Sequence, residues 1–173
     1  AIELAKRTRF LRDEVIAVEI EEDGTKGQKQ IIGFYEAFKK YLIGTLTEKQ
    51  FADLYAQTIA YGLFAARTRA NGEFNRRLAF DYIPNTIGIL RDVFRFISLE
   101  DPPKSLQIIV EDIAELLHVT DVKKILHEYH STGKGKDPII HFYETFLSTY
   151  DPDRKSTRLN SSHVKRTPMP SSA

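Results

Sequence analysis

The sequence predicts an all-α fold, a multi-helix bundle of roughly seven to eight helices, on three observations. Apolar residues recur every three or four positions along most of the chain. No segment alternates with the period of two that a half-buried strand requires. The periodic runs are separated by helix-stop and helix-start residues at Asp23-Gly24, Gly44, Asn71-Gly72, Pro84, Asp101-Pro102-Pro103 and Asp137-Pro138. With 42% hydrophobic residues, the chain has the material for one domain with a real core.

Residues 2–22 place Ile2, Leu4/Ala5, Leu11, Val15 and Val18 at helical spacing and stop at Asp23-Gly24. Residues 24–29 read as a polar turn. A helix over 30–43 follows, carrying Ile31, Phe34/Tyr35, Phe38 and Leu42, and Gly44 closes it. The clearest helix spans 48–70, where Thr47 with Gln50 three residues on forms the capping-box pattern. One of its stripes runs Phe51, Leu54/Tyr55, Thr58/Ile59, Gly62, Ala65/Ala66; a second runs Ala52, Ala56, Ala60, Leu63/Phe64. A helix apolar on two faces belongs between neighbours, so this one should be central. Gly62 and the alanines would permit close approach, and Tyr55, Gln57 and Tyr61 would need hydrogen-bond partners inside the bundle.

A short helix over 75–82 ends before Pro84. Residues 86–98 carry Ile87, Leu90, Val93/Phe94 and Ile97, and 104–118 carry Leu106, Ile109/Val110, Ile113 and Leu116/Leu117. Thr120 or Asp121 can cap a further helix to about Tyr129. Ser131 to Lys136 is a polar loop. Asp137-Pro138 then supplies an N-cap with proline at the first helical position, opening a helix that should bury Ile139, Phe142/Tyr143, Phe146 and Tyr150.

The end of the chain differs in character. Residues Asp153 to His163 resemble the translation of a common short-read library adapter, and Met169-Pro170-Ser171-Ser172-Ala173 resembles the translation of its far end. Residues 153–173 are therefore expected to be a non-native, disordered tail, set aside in reasoning about the fold. Met169 is the only Met, so the remainder reads as an internal fragment of a longer protein. The tail holds Arg154, Lys155, Arg158, Lys165 and Arg166 against Asp153. Removing them from 25 basic and 24 acidic residues leaves 20 against 23, so the formal charge moves from +1 to −3. That balance lacks the basic excess from which a nucleic-acid module draws most of its affinity. Zero Cys excludes a disulfide framework and Cys-based zinc sites. No apolar run approaches the roughly 18 residues of a membrane span.

Motifs that would carry chemistry are weak. Asp101-Pro102-Pro103-Lys104 resembles the Asn/Asp-Pro-Pro-aromatic motif of amino-methyltransferases, but Lys104 stands where the aromatic should stack, and a helix break explains the prolines. His127 and His130 are spaced i, i+3, not the i, i+4 that puts two imidazoles on one metal, and His118 and His141 are isolated. Gly133-Lys134-Gly135-Lys136 lacks the spacing of a phosphate cradle. Glu19-Glu21-Glu22-Asp23 and Glu111-Asp112 read as solvated faces. Arg67, Arg69, Arg76 and Arg77 flank a turn and are the candidate contacts to a DNA backbone. No catalytic, cofactor-binding or metal-binding residue follows from the residues themselves.

Two segments carry a family likeness. Phe51 to Arg67 resembles the "FADxYAQTxxYGLFxAR" helix of large adenine-specific DNA methyltransferases of fused restriction-modification type, the type IIG and helicase-bearing type ISP enzymes. Asp137 to Pro152 resembles their "DPxxHFYExFLxxYDP" helix. In that family the region is a helical connector between an upstream nuclease or helicase part and the methyltransferase. The resemblance implies that residues 1–152 are such a connector, positioning the methyltransferase module. It implies a parent enzyme of the bacterial or archaeal cytoplasm that uses S-adenosylmethionine, with Mg for a nuclease part. Its partners would be the neighbouring modules and duplex DNA reached through the parent, with no membrane. The family's "GVYYTP" step, cofactor loop and Asn-Pro-Pro-Tyr motif are absent, so the fragment alone is expected to be no enzyme and to hold no cofactor. The rival expectation is an autonomous all-α protein-interaction bundle without enzymatic activity.

Overall fold

A computed structural model describes residues 1–14, 26–84, 88–132 and 137–153. Among the described residues there are eight helices and no strand: α1 (Ile2–Glu14), α2 (Lys26–Tyr41), α3 (Glu48–Arg69), α4 (Arg76–Tyr82), α5 (Gly88–Leu99), α6 (Lys104–Val119), α7 (Val122–Thr132) and α8 (Pro138–Tyr150). The all-α class is as the periodicity predicts.

Local chemistry starts most of them. Thr47 accepts from the Gln50 amide, and the Gln50 side chain accepts from the Thr47 amide, which closes the capping box on α3. Asn75 accepts from the amides of Arg77 and Leu78 at the head of α4. Between the two expected caps of α7, Asp121 is the one whose carboxylate accepts the Lys124 amide. Asp137 caps α8 through the Ile139 amide, with Pro138 at the position where a missing N–H costs nothing. The Asp101-Pro102-Pro103 segment separates α5 from α6, as a helix break should.

Helix α3 is the axis of the bundle. Nine of its residues are buried, drawn from both expected stripes: Phe51, Tyr55, Ile59 and Ala66 from one, Ala52, Ala56, Ala60, Leu63 and Phe64 from the other. Around it the neighbours follow one another, α7 against α8, α8 against α1, α1 against α6, α6 against α4, α4 against α5, and α5 against α2. At the α2 side, Phe38 meets Phe51 edge-on with ring centroids 5.5 Å apart, and Phe34 reaches Tyr55 and Phe96. A helix with no solvated face can exist only when its own polar groups are few. Between Phe51 and Ala66 the sole charged residue is Asp53.

Several boundaries and burials differ from expectation. Lys26 to Lys29 is helical and not a turn, so α2 starts at Lys26; Lys and Gln are good helix formers, so a polar run by itself is no break. Helix α7 continues through Ser131 and Thr132, the Ser131 hydroxyl donating to the His127 carbonyl one turn back. In α8 the buried stripe is Phe142, Phe146 and Tyr150, whereas Ile139 and Tyr143 are exposed. The i, i+4, i+8 row faces the bundle, while Ile139 and Tyr143 beside it remain exposed; periodicity alone does not say which row wins. Ile2 and Leu42 are likewise exposed at the ends of their helices. The expected helical residues 15–22, together with Ile87, the loop 133–136 and the tail from 154 onward, lie outside the described residues.

Candidate functional site

The two segments that carry the family likeness become α3 and α8, and they lie face to face. They run antiparallel, because the start of α8 meets the end of α3 and the reverse. Phe142 stacks on Phe64 with centroids 4.5 Å apart. One turn further, Tyr61 packs between Phe146 at 5.1 Å and Tyr143 at 5.4 Å. At the far end the Tyr150 hydroxyl donates to an Asp53 carboxylate oxygen at 2.6 Å. Arg12, from α1, sets its guanidinium 5.2 Å from the centre of the Tyr150 ring and bonds Asp13 beside it. The seam is aromatic along its length and ends in one charged, hydrogen-bonded cluster.

Electrostatics follow from that burial. Burial raises the Tyr150 phenol well above the ordinary tyrosine range, and the bond to Asp53, with its negative charge, adds to the rise. Tyr61 is raised for the same first reason, with Tyr143 and Tyr150 contributing. The two hydroxyls differ in partners, however. The Tyr61 oxygen is buried and makes no hydrogen bond, against the expectation that each polar group on α3 would find a partner. Its ring packs on Phe146 and Tyr143, and the Tyr143 hydroxyl is not placed to bond it.

Gly62 shows why α3 can be central. A Cβ built there would lie 1.9 Å from the Phe94 ring of α5. The glycine forgoes about 1 kcal/mol of helix propensity relative to alanine, and the space it leaves admits a buried aromatic.

The arginine quartet divides into two pairs. Arg67 donates to the Leu117 carbonyl at 2.8 Å, the His118 carbonyl at 3.4 Å and the Ala70 carbonyl at 3.2 Å, and so closes the end of α6. Arg76 is 5% exposed and donates to the Ile97 carbonyl at 2.6 Å and the Glu100 carbonyl at 3.4 Å, which closes the end of α5; Glu111 stands 3.4 Å away. A cation is suited to a helix C-terminus, where the last carbonyls lack amide partners. Arg69 and Arg77 are exposed.

The histidines are dispersed. His118 Nδ1 accepts the Phe74 amide at 3.2 Å, His141 packs edge-on to Tyr129, and His127 and His130 are exposed on α7. Among the described residues, no group of three or more His, Asp or Glu could hold a metal ion. No helix among them is long and apolar enough to cross a membrane. A groove of about 660 Å³ lies between α2 and α5, and an apolar pocket of about 340 Å³ is lined by Leu4, Phe64, Leu117, Tyr129 and Phe142. Neither brings together a nucleophile, a base and an oxyanion donor.

Tyr150 is an expected core residue and Asp53 belongs to the motif of α3, but neither their pairing nor Arg12 follows from motif or spacing. A signal for Asp53 is present, since it is the sole charged residue between Phe51 and Ala66 of a doubly apolar helix and gains from a polar partner there. Its partner, 97 residues away, was not legible without the fold. In comparisons with family models, with curated proteins and with solved structures, nothing matches the chain.

Proposed function

We propose that residues 1–152 act as a helical connector in an adenine-N6 DNA methyltransferase of fused restriction-modification type, in the cytoplasm of a bacterium or archaeon. The parent would transfer the methyl group of S-adenosylmethionine to an adenine flipped out of duplex DNA. This chain's part is geometric: to hold the methyltransferase module at a set distance and angle from an upstream nuclease or helicase part. One observation carries the reading. The two segments that resemble the family are separated by some seventy residues of sequence, yet they are the two helices that seam together through Phe64–Phe142, Tyr61–Phe146 and Asp53–Tyr150. Two such segments packed against each other suit a rigid coupler. The aromatic seam and the arginines closing α5 and α6 also spend the chain's conspicuous side chains on stiffness. Of the four arginines, only Arg69 and Arg77 are exposed and so free to meet a phosphate backbone in this role.

The intact gene tests the proposal. Downstream of Asp151-Pro152, its reading frame should continue into a Gly-rich cofactor loop and an Asn-Pro-Pro-Tyr motif. A frame that closes without them overturns the connector reading and leaves the autonomous interaction bundle. Calorimetry on the present chain should show no S-adenosylmethionine binding; micromolar affinity would place the cofactor site here instead.

A further inference from the structure

We propose that the groove between α2 and α5 is the face through which two copies of this chain pair about a two-fold axis. The proposal does not depend on the methyltransferase reading. The groove holds about 660 Å³, with the buried Phe34 at its base. Gly33 and Ala37 line its α2 wall, and Gly88 and Ile89 line its α5 wall. Gly33 stands in the interior of α2, where glycine costs about 1 kcal/mol against alanine. At Gly62 the missing side chain admits the Phe94 ring. At Gly33 and Gly88 a Cβ would meet no described atom within 4 Å, so the chain's own packing makes no use of the space.

The same face carries what would fill that space. Tyr41, Leu42 and Ile43 are three successive large apolar residues, all exposed, and the first two line the groove. Clustered apolar exposure beside a cleft marks an interaction surface. The two walls also carry opposite charges, Lys29 on α2 and Asp92 on α5. Asp92 accepts from Arg95 at 3.1 Å, but that pair is exposed and three residues apart, so water screens it. A two-fold axis along the groove lays α2 of one copy over α5 of the other. Tyr41 and Leu42 of each copy then pack over Gly88 and Ile89 of the other, and Lys29 of each meets Asp92 of the other. Apolar knobs, open space and both charges are satisfied by one contact made twice, as an isologous interface requires. A partner of another kind would need its own acid and base in matching places; a second copy has them.

Sedimentation of the whole chain over a range of concentrations tests this. The mass should rise from 19.9 kDa toward twice that value. Lys29→Glu and Asp92→Lys should each weaken pairing about tenfold or more, because one reversal sets two like-charged contacts in a symmetric dimer. Mixed in equal amounts, the two variants should pair again, since each offers the charge that the other lacks. Gly33→Leu should abolish pairing while the melting temperature of the dilute monomer holds or rises, leucine being the better helix former in open space. The proposal is overturned if the chain stays monomeric at millimolar concentration. A dimer that survives Gly33→Leu uses another face and overturns it too, as does an equal mixture of the charge variants that stays monomeric.

Discussion

Tyr150 donates a 2.6 Å hydrogen bond to Asp53 and so ties the last residue of α8 to the second turn of the central helix. A half-buried carboxylate gains from such a donor, and a hydrogen bond to a charged group contributes about 1.5–3 kcal/mol. Tyr150→Phe should therefore lower stability by about that amount. A double-mutant cycle with Asp53→Asn, read by urea unfolding, should give a coupling energy above about 1 kcal/mol. Additive losses would mean that the two side chains contribute separately.

Tyr61→Phe should have the contrary sign. The hydroxyl is buried without a partner, so deleting it removes a desolvation cost of about 1–3 kcal/mol and leaves the ring contacts with Phe146 and Tyr143 in place. The expected result is an unchanged or raised melting temperature. A clear fall would show that the oxygen bonds an ordered water.

Alkaline pH should destabilise the bundle through these same phenols. Both are raised in the folded state, while an unfolded tyrosine titrates near about 10. A raised folded value gives stability that is complete below the unfolded value and is lost as pH rises above it, because only the unfolded chain then releases the proton. The melting temperature should fall from about pH 10 upward, and the fall should be shallower in Tyr61→Phe and Tyr150→Phe.

Gly62→Ala should be damaging although alanine is the better helix former. The new Cβ would meet the Phe94 ring at 1.9 Å, and overpacking of this kind costs about 1–3 kcal/mol. Phe94→Leu, which shortens the side chain, should recover part of the loss in the double variant. If Gly62→Ala alone raises the melting temperature, α3 and α5 do not pack this closely.

The arginines should separate by role. Arg76→Ala leaves the buried Ile97 carbonyl of α5 without its donor and should cost about 2–3 kcal/mol, with Arg67→Ala somewhat less at its more open site. Arg69→Ala and Arg77→Ala should stay within about 0.5 kcal/mol of the starting stability. Thermal melts of the four variants decide this. If DNA binding is detected in the parent, the salt slope should fall in the Arg69 and Arg77 variants only.

Much of the architecture was legible in the residues. The capping box at Thr47 and Gln50, the Asn75 and Asp137 caps and the proline breaks are contacts between near neighbours in sequence, so they place helix ends without knowledge of the fold. The two apolar stripes of α3 likewise require a neighbour on each side and made that helix central before any partner was known. What the tertiary structure alone decided are the pairings over long separations. The same guanidinium chemistry that marks a phosphate contact also closes a helix C-terminus, and only the position of α5 and α6 relative to Arg76 and Arg67 shows which use is made. The side of α8 that is buried, the partner of Asp53 and the absence of one for Tyr61 have the same origin. Each depends on which helix lies across the seam, and periodicity along a single helix holds no information about that neighbour.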